Sequence, residues 1–132
     1  MRSIILAALL TAAPVAAAAD ETAIRGVIDD QIAAFEADDF DGAFAYAAPN
    51  IRSLFGSPSN FGRMVRDGYP MVWRPGSVEY LGADDRGRLW DQDVMITDDA
   101  GRLHRLRYSM VRTPDGWRIA GVRILAEPEV GA

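Results

Sequence analysis

Residues 20–49 read DETAIRGVIDDQIAAFEADDFDGAFAYAAP, and this stretch decides the fold of the chain. Side chains recur at three- and four-residue steps along its first half, which predicts one buried face of a long helix. The residues of that face are Ile24, Val27, Ile28, Gln31, Ile32 and Phe35. Asp38 and Asp39 then form a polar break. Asp39 is the predicted N-cap of a short second helix, which Pro49 ends.

Downstream of this stretch, the sequence predicts a third short helix and four strands. Ser57 and Pro58 are typical of a helix start, and Asp67 and Gly68 are typical of a helix end. Residues 69–76 carry prolines on both sides of aromatic residues, which favours an extended edge or lid segment. The predicted strands are residues 77–83, 88–98, 102–113 and 117–126. Helices packed on one face of an antiparallel sheet make an α+β fold.

Two glycine-containing loops fix the predicted register of the strands. Residues 99–101 and 114–116 each fit a three-residue hairpin loop, so Asp98 would oppose Arg102 and Thr113 would oppose Trp117. Alternation along the strands then separates a mainly apolar inner face from a mixed outer face. The inner face carries Trp90, Gln92, Val94, Ile96, His104, Leu106, Tyr108, Met110, Ala120, Val122 and Ile124. The outer face carries Asp91, Asp93, Met95, Arg105, Arg107, Ser109, Val111, Ile119 and Arg123.

Composition excludes several classes of function. The chain has 132 residues, enough for one domain, and a net charge of −5 without a run of basic residues. An acidic surface of this kind argues against nucleic acid or anionic lipid as a partner. Cysteine is absent and His104 is the single histidine, so we expect no disulfide, no zinc site and no cofactor.

The first 19 residues are predicted to be a cleaved signal peptide. Arg2 precedes an apolar run at residues 4–10, and the small residues 17–19 precede Asp20 as a cleavage site. Pro14 interrupts the run well short of the roughly 20 apolar residues of a membrane anchor. Cleavage would remove one arginine and no acidic residue, which changes the net charge from −5 to −6. We therefore expect a periplasmic or secreted protein, free of the membrane after cleavage, whose single domain is residues 20–132.

The order of elements resembles the α+β cone of the nuclear-transport-factor-like and ketosteroid-isomerase-like superfamily. The resemblance rests on AAFEADD at residues 33–39 and DGWRI at residues 115–119. More narrowly, MVRDGYP at residues 64–70 is similar to the signature of a bacterial domain family of unknown function within that group. The resemblance implies helices on a curved antiparallel sheet that encloses a cavity. Members of the superfamily include enzymes, binding modules and dimerisation domains, so fold transfers better than function.

The isomerase-like enzymes of this superfamily use a first-helix tyrosine and a cavity carboxylate. Residues 22–37 contain no tyrosine, and Asp91 and Asp93 fall on the outer face in the predicted register. A base from the rim, Asp39, Asp41 or Asp67, would remain for an isomerase-like enzyme. These three residues are more simply explained by capping and solvation.

Polar residues on the inner face predict a ligand cavity. His104, Gln92 and Tyr108 lie among apolar side chains, as in a mostly apolar pocket with a few polar groups. The alternative is a sealed network in which their hydrogen bonds are satisfied internally. The predicted ligand-binding residues, with two from the lid segment, are Trp90, Gln92, His104, Tyr108, Tyr69 and Trp73. We expect a non-enzymatic module that binds a small apolar or amphipathic ligand. The alternatives are a module that interacts or dimerises through the outer sheet face, and an isomerase-like enzyme.

Overall fold

Five helices precede a four-stranded sheet in this computed structural model, which describes residues 13–125. The helices are α1 (Ala13–Glu36), α2 (Phe40–Ala45), α3 (Pro49–Phe55), α4 (Pro58–Gly68) and α5 (Pro70–Trp73). The strands are β1 (Ser77–Arg86), β2 (Leu89–Thr97), β3 (Leu103–Thr113) and β4 (Gly116–Ile124). Residues 1–12 of the predicted signal peptide and the predicted strand end at Ala126 lie outside the described residues. Residues 13–19 are the first turns of α1.

Two predicted helix caps are confirmed. Asp39 accepts a hydrogen bond from the backbone N–H of Gly42 at 3.0 Å, which satisfies a free donor at the start of α2. Ser57 accepts in the same way from the backbone N–H of Asn60 at 3.2 Å at the start of α4. The polar break before α2 includes Asp38, whose φ of 53° places it in the left-handed region.

Two expectations for the helical half were wrong. Pro49 does not end the second helix; it is the first residue of α3, a helix that the sequence analysis did not predict. Proline is favoured at that position because a first-turn N–H has no partner inside the helix. The proposed extended segment after Tyr69 also begins with a proline, Pro70, and it forms the single turn of α5 for the same reason.

The sheet is an antiparallel meander in the order β1-β2-β3-β4, which confirms the predicted α+β class. The register between β2 and β3 is also confirmed, with Val94 opposite Leu106 and Gln92 opposite Tyr108. On the outer face Asp93 lies opposite Arg107 and accepts two hydrogen bonds from its guanidinium, at 2.7 and 3.1 Å.

The predicted register between β3 and β4 holds for only part of their length. Tyr108 lies opposite Val122 as expected, but Met110 lies opposite Ile119 rather than Ala120, and Thr113 lies opposite Gly116 rather than Trp117. The irregularity is a β-bulge at Ala120, which places one extra residue on β4. Because the bulge reverses the alternation, Ile119 lies on the inner face and is buried, contrary to its predicted outer position.

The core lies between the buried stripe of α1 and the inner face of the sheet. Ile24 and Ile28 are fully buried, as are Val94, Ile96 and Leu106 on the strands. Such burial contributes about 1.5–3 kcal/mol for each large aliphatic side chain. Helix α1 therefore covers the sheet as predicted, and the shorter helices close the remaining open end.

Candidate functional site

The six predicted ligand-binding residues do not share one cavity. Trp90, Gln92 and Tyr108 are packed inside the core, with exposed fractions of 4%, 0% and 0%. His104 and Trp73 flank a cleft between α5 and the β2–β3 loop. Tyr69 lines a separate apolar pocket. The predicted inner-face placement of Gln92 and Tyr108 is confirmed, but their grouping with the two lid residues does not match this geometry.

Gln92 forms structural hydrogen bonds inside the core. Its Nε2 donates to the backbone carbonyl of Leu81 at 3.1 Å and to that of Asp93 at 3.0 Å. Its Oε1 accepts from Trp90 Nε1 at 3.4 Å. Strand β1 has a register shift between Tyr80 and Ala83, which leaves carbonyls without strand partners. Gln92 therefore stabilises an irregular strand, a role that needs no ligand.

Unlike Gln92, Tyr108 has a buried polar group that no hydrogen bond explains. Its hydroxyl is fully buried and has no hydrogen-bond partner among the described residues. Burial raises the pKa of Tyr108 far above its usual range, so the hydroxyl is neutral at every physiological pH.

Asp98 organises the cleft beside His104, whose lining combines charged side chains with the apolar surface of Pro70, Met71 and Trp73. His104 Nε2 lies 2.8 Å from Asp98 Oδ2, and the other carboxylate oxygen accepts from the backbone N–H groups of Ala100 and Arg102. The hydrogen bond to His104, followed by that to the Arg102 backbone, lowers the pKa of Asp98 below its usual range. On the opposite side of the cleft, Trp73 donates to Asp38 at 3.0 Å.

The apolar pocket is bounded by helices α1, α3, α4 and α5 and by strand β4. Its volume is about 210 Å³, and it reaches the surface beside Leu54, a largely exposed residue. The walls are Gln31 and Phe35 from α1; Ala47 from the α2–α3 connection; Ile51, Leu54 and Phe55 from α3; Phe61, Met64 and Val65 from α4; Tyr69 and Val72; and Ile119, Gly121 and Val122 from β4. Among the described lining residues none is charged.

Hydrogen bonds between the α2–α3 connection and β4 hold α3 at the mouth of this pocket. The backbone N–H of Ala48 donates to Ile119 O at 2.8 Å, and the N–H of Ile119 donates to Tyr46 O at 2.9 Å. Asn50 Nδ2 adds a third bond, to the carbonyl of Ala120 at 3.0 Å. The bulge residue therefore has an acceptor directed at α3, which fixes the position of that wall.

Gln31 and Tyr69 are the side chains that bring hydrogen-bonding groups to the pocket. Tyr69 donates its hydroxyl to the carbonyl of Val122 at 3.0 Å. Gln31 is 3% exposed and donates its amide nitrogen to the carbonyl of Ala43 at 3.1 Å. Sequence analysis placed Gln31 on the buried face of α1 but did not select it as a site residue. The signal was present, because a glutamine within an otherwise apolar stripe needs a polar partner.

The described residues do not indicate a metal site or a membrane-spanning helix. Residues 13–125 contain no group of three or more acidic or histidine side chains arranged to hold a metal ion. Within the same range no helix combines the length and apolar character needed to span a bilayer.

This chain belongs to the family described as a domain of unknown function, DUF4864, which its residues 17–132 match. The predicted resemblance to a bacterial family of unknown function is thereby confirmed. No curated protein matches the chain.

Two solved structures share the fold. A structure described as an NTF-2 like protein of unknown function from Burkholderia xenovorans LB400 is 19% identical, with a TM-score of 0.51. The match covers 85% of this chain and 90% of that chain. A SEC-C motif containing protein from Rhodopseudomonas palustris is 16% identical with a TM-score of 0.52, covering 71% of this chain and 72% of that one. At these identities the likeness shows the nuclear-transport-factor-like fold alone.

Proposed function

We propose that this protein is an exported, non-enzymatic module that binds a small, mostly apolar molecule in the pocket between the helices and β4. The observation that carries the proposal is the pocket itself, with a volume of about 210 Å³ and an uncharged lining among the described residues. Tyr69 is the predicted ligand-binding residue that lies in it. Pockets for small ligands have this character, apolar walls with a few polar groups.

The packing of the interior supports this proposal. Protein interiors contain few spaces larger than a water molecule, so a space of about 210 Å³ with apolar walls is unusual. The pocket opens to the surface at Leu54, so a molecule can enter it. Burial of apolar surface contributes about 25 cal/mol per Å², so a ligand that contacts these walls is stabilised by the surface it covers.

A pair of matched substitutions tests ligand binding. Val122 is half-buried on the inner face and lines the pocket, so Val122→Phe should fill it. Val111 is half-buried on the outer face of the neighbouring strand, so Val111→Phe is the control. The neutral two-ring dye 1-naphthylamine should bind to the wild type and to Val111→Phe with a blue-shifted emission, and bind at least about tenfold more weakly to Val122→Phe. Equal dye binding by both variants would refute the assignment of the pocket.

Export is proposed on the order of the first 19 residues, and the structure near Asp20 is consistent with it. Val15 is 73% exposed, and the alanines that follow it are exposed or half-buried. Asp20 is bound to the sheet, accepting from Arg112 at 2.6 Å and from Trp117 Nε1 at 3.4 Å. Cleavage after Ala19 would thus keep the contacts of α1 with the sheet. N-terminal sequencing of the exported protein should give Asp-Glu-Thr, and an uncleaved chain in the inner membrane would refute this.

A homodimer through the outer sheet face is the second candidate. Leu89 and Leu103 are about half exposed at opposite ends of that face, with exposed fractions of 51% and 54%. Between them lie the paired charges of Asp93 and Arg107. Apolar ends around a charged centre can be self-complementary across a two-fold axis. Native mass spectrometry should show two copies that Leu103→Asp reduces to one; a wild-type monomer at all concentrations would exclude this candidate.

A further inference from the structure

We infer that the pocket selects a neutral ligand that donates a hydrogen bond to Oε1 of Gln31. This inference rests on the proposed function, since it specifies the ligand of the same pocket. The ligand would combine an alkyl or small-ring body with a hydroxyl or amide N–H. The body fills the apolar space between α1, α4 and β4, and the donor meets the amide oxygen of Gln31.

The orientation of the Gln31 amide follows from its partner. The group at 3.1 Å is the backbone carbonyl of Ala43, which is an acceptor. A flipped amide would place two acceptor oxygens against each other, so the nitrogen must face Ala43 and the oxygen must face away from it. No described residue donates a hydrogen bond to this oxygen. Gln31 is 3% exposed and lines the pocket, so its oxygen is an acceptor available to a bound molecule.

The second polar side chain has the same preference for a donor. Tyr69 has one hydroxyl hydrogen, and the carbonyl of Val122 accepts it at 3.0 Å. What the hydroxyl offers to a ligand is therefore an oxygen lone pair. A ligand with a hydroxyl can donate to either oxygen and can also accept from the second N–H of Gln31, whereas an acceptor-only ligand leaves both oxygens without a donor.

The absence of charged side chains among the described lining residues favours neutral ligands over anions and cations. No arginine, histidine or carboxylate lies among the described lining residues, so a buried carboxylate of a fatty acid would lack a counter-charge. Burial of an unpaired ion costs far more than burial of a neutral polar group. The size is also limiting, because cavities of about 150 Å³ take a molecule of the size of benzene. The pocket volume of about 210 Å³ therefore suits a body of one or two small rings or a medium alkyl chain.

Three probes with eight carbon atoms test the inference on the purified protein. Octan-1-ol brings a donor, 1-methoxyheptane has an acceptor alone, and octanoate is an anion at neutral pH. Binding is measured by ¹⁵N NMR titration, followed at the backbone amides of Val65 and Val122 on two pocket walls. Octan-1-ol should bind about three- to tenfold more tightly than 1-methoxyheptane, the gain expected of one net hydrogen bond. Octanoate should bind at least about tenfold more weakly than octan-1-ol.

Two variants locate the preference. Gln31→Met keeps an unbranched side chain but removes the whole amide, so octan-1-ol should lose its advantage over 1-methoxyheptane. Tyr69→Phe should retain most of the advantage, because Gln31 is still present. If Gln31→Met does not fold, Tyr69→Phe decides, because loss of the advantage in that variant would assign the ligand's hydrogen bond to Tyr69 and overturn the role of Gln31.

The outcomes separate the two proposals. Failure of all three probes to shift any pocket amide would refute the proposed function. Probe binding at the pocket without a preference for the alcohol would leave that function standing and overturn the role of Gln31. A preference that survives in Gln31→Met, or octanoate binding as tight as octan-1-ol, would overturn it as well.

Discussion

Replacement of Tyr108 by phenylalanine should stabilise the protein. The hydroxyl of Tyr108 is fully buried and has no partner among the described residues. Leaving such a group without a hydrogen bond costs about 1–3 kcal/mol. Phenylalanine keeps the ring and removes the polar atom, although it leaves a small gap where the oxygen was. We therefore expect Tyr108→Phe to raise the free energy of unfolding by about 1–2 kcal/mol.

The assay is thermal unfolding followed by circular dichroism, supported by denaturant titration. For a domain of about 110 residues, 1 kcal/mol corresponds to about 4 °C, so the midpoint should rise by about 4–8 °C. The matched control is Tyr69→Phe. Its hydroxyl donates to the carbonyl of Val122, so its removal should lower stability by about 0.5–1.5 kcal/mol.

The sign of the Tyr108→Phe effect also tests the sequence-based cavity. If a water or a ligand satisfied this hydroxyl in solution, the substitution would remove a hydrogen bond and lower the midpoint, as in the control. A clear destabilisation would refute the sealed core. It would also restore Tyr108 to a cavity with Gln92, as the sequence pattern predicted.

Three further measurements follow from the geometry. Leu106 is fully buried, so Leu106→Ala should lower the free energy of unfolding by about 2–5 kcal/mol. Asp93→Ala on the outer face should lower it by at most about 1 kcal/mol. Denaturant midpoints in the reverse order would contradict the observed register. The lowered pKa of Asp98 stabilises the fold above the pKa of the unfolded aspartate, and this contribution disappears as the pH falls through the folded value. Asp98→Asn should therefore destabilise the protein at about pH 7 and make melting less sensitive to pH between about 5 and 3; an unchanged pH profile would contradict this. Asn50→Ala should loosen α3 by removing its hydrogen bond to the carbonyl of Ala120. The loss in free energy of dye binding should therefore exceed the loss in free energy of unfolding; unchanged dye affinity would show that α3 is held by other contacts.

The elements that the sequence predicted correctly are those with a strong period or a local chemical cause. The stripe of α1 repeats at helical spacing, and the caps at Asp39 and Ser57 depend on their nearest neighbours in the chain. The β2–β3 register was predictable because alternation over nine residue pairs and a glycine loop agree on it. Alternation also placed Gln92 and Tyr108 on the inner face, but it could not distinguish a cavity wall from a filled core. That difference depends on which helices cover each part of the face.

The pocket was missed because two of its walls depend on features without a period. Pro49 fits both the end of one helix and the first turn of the next, and the choice of the second creates α3. The bulge at Ala120 has no signal in the alternation of β4, yet it turns Ile119 inward to the pocket. The two features are also coupled, because the Ala120 carbonyl is the acceptor for Asn50 of α3. A one-residue change at either feature would therefore move both walls. For this reason Gln31 can be recognised in the sequence as a polar residue on an apolar stripe, but its position in a pocket is visible only in the folded chain.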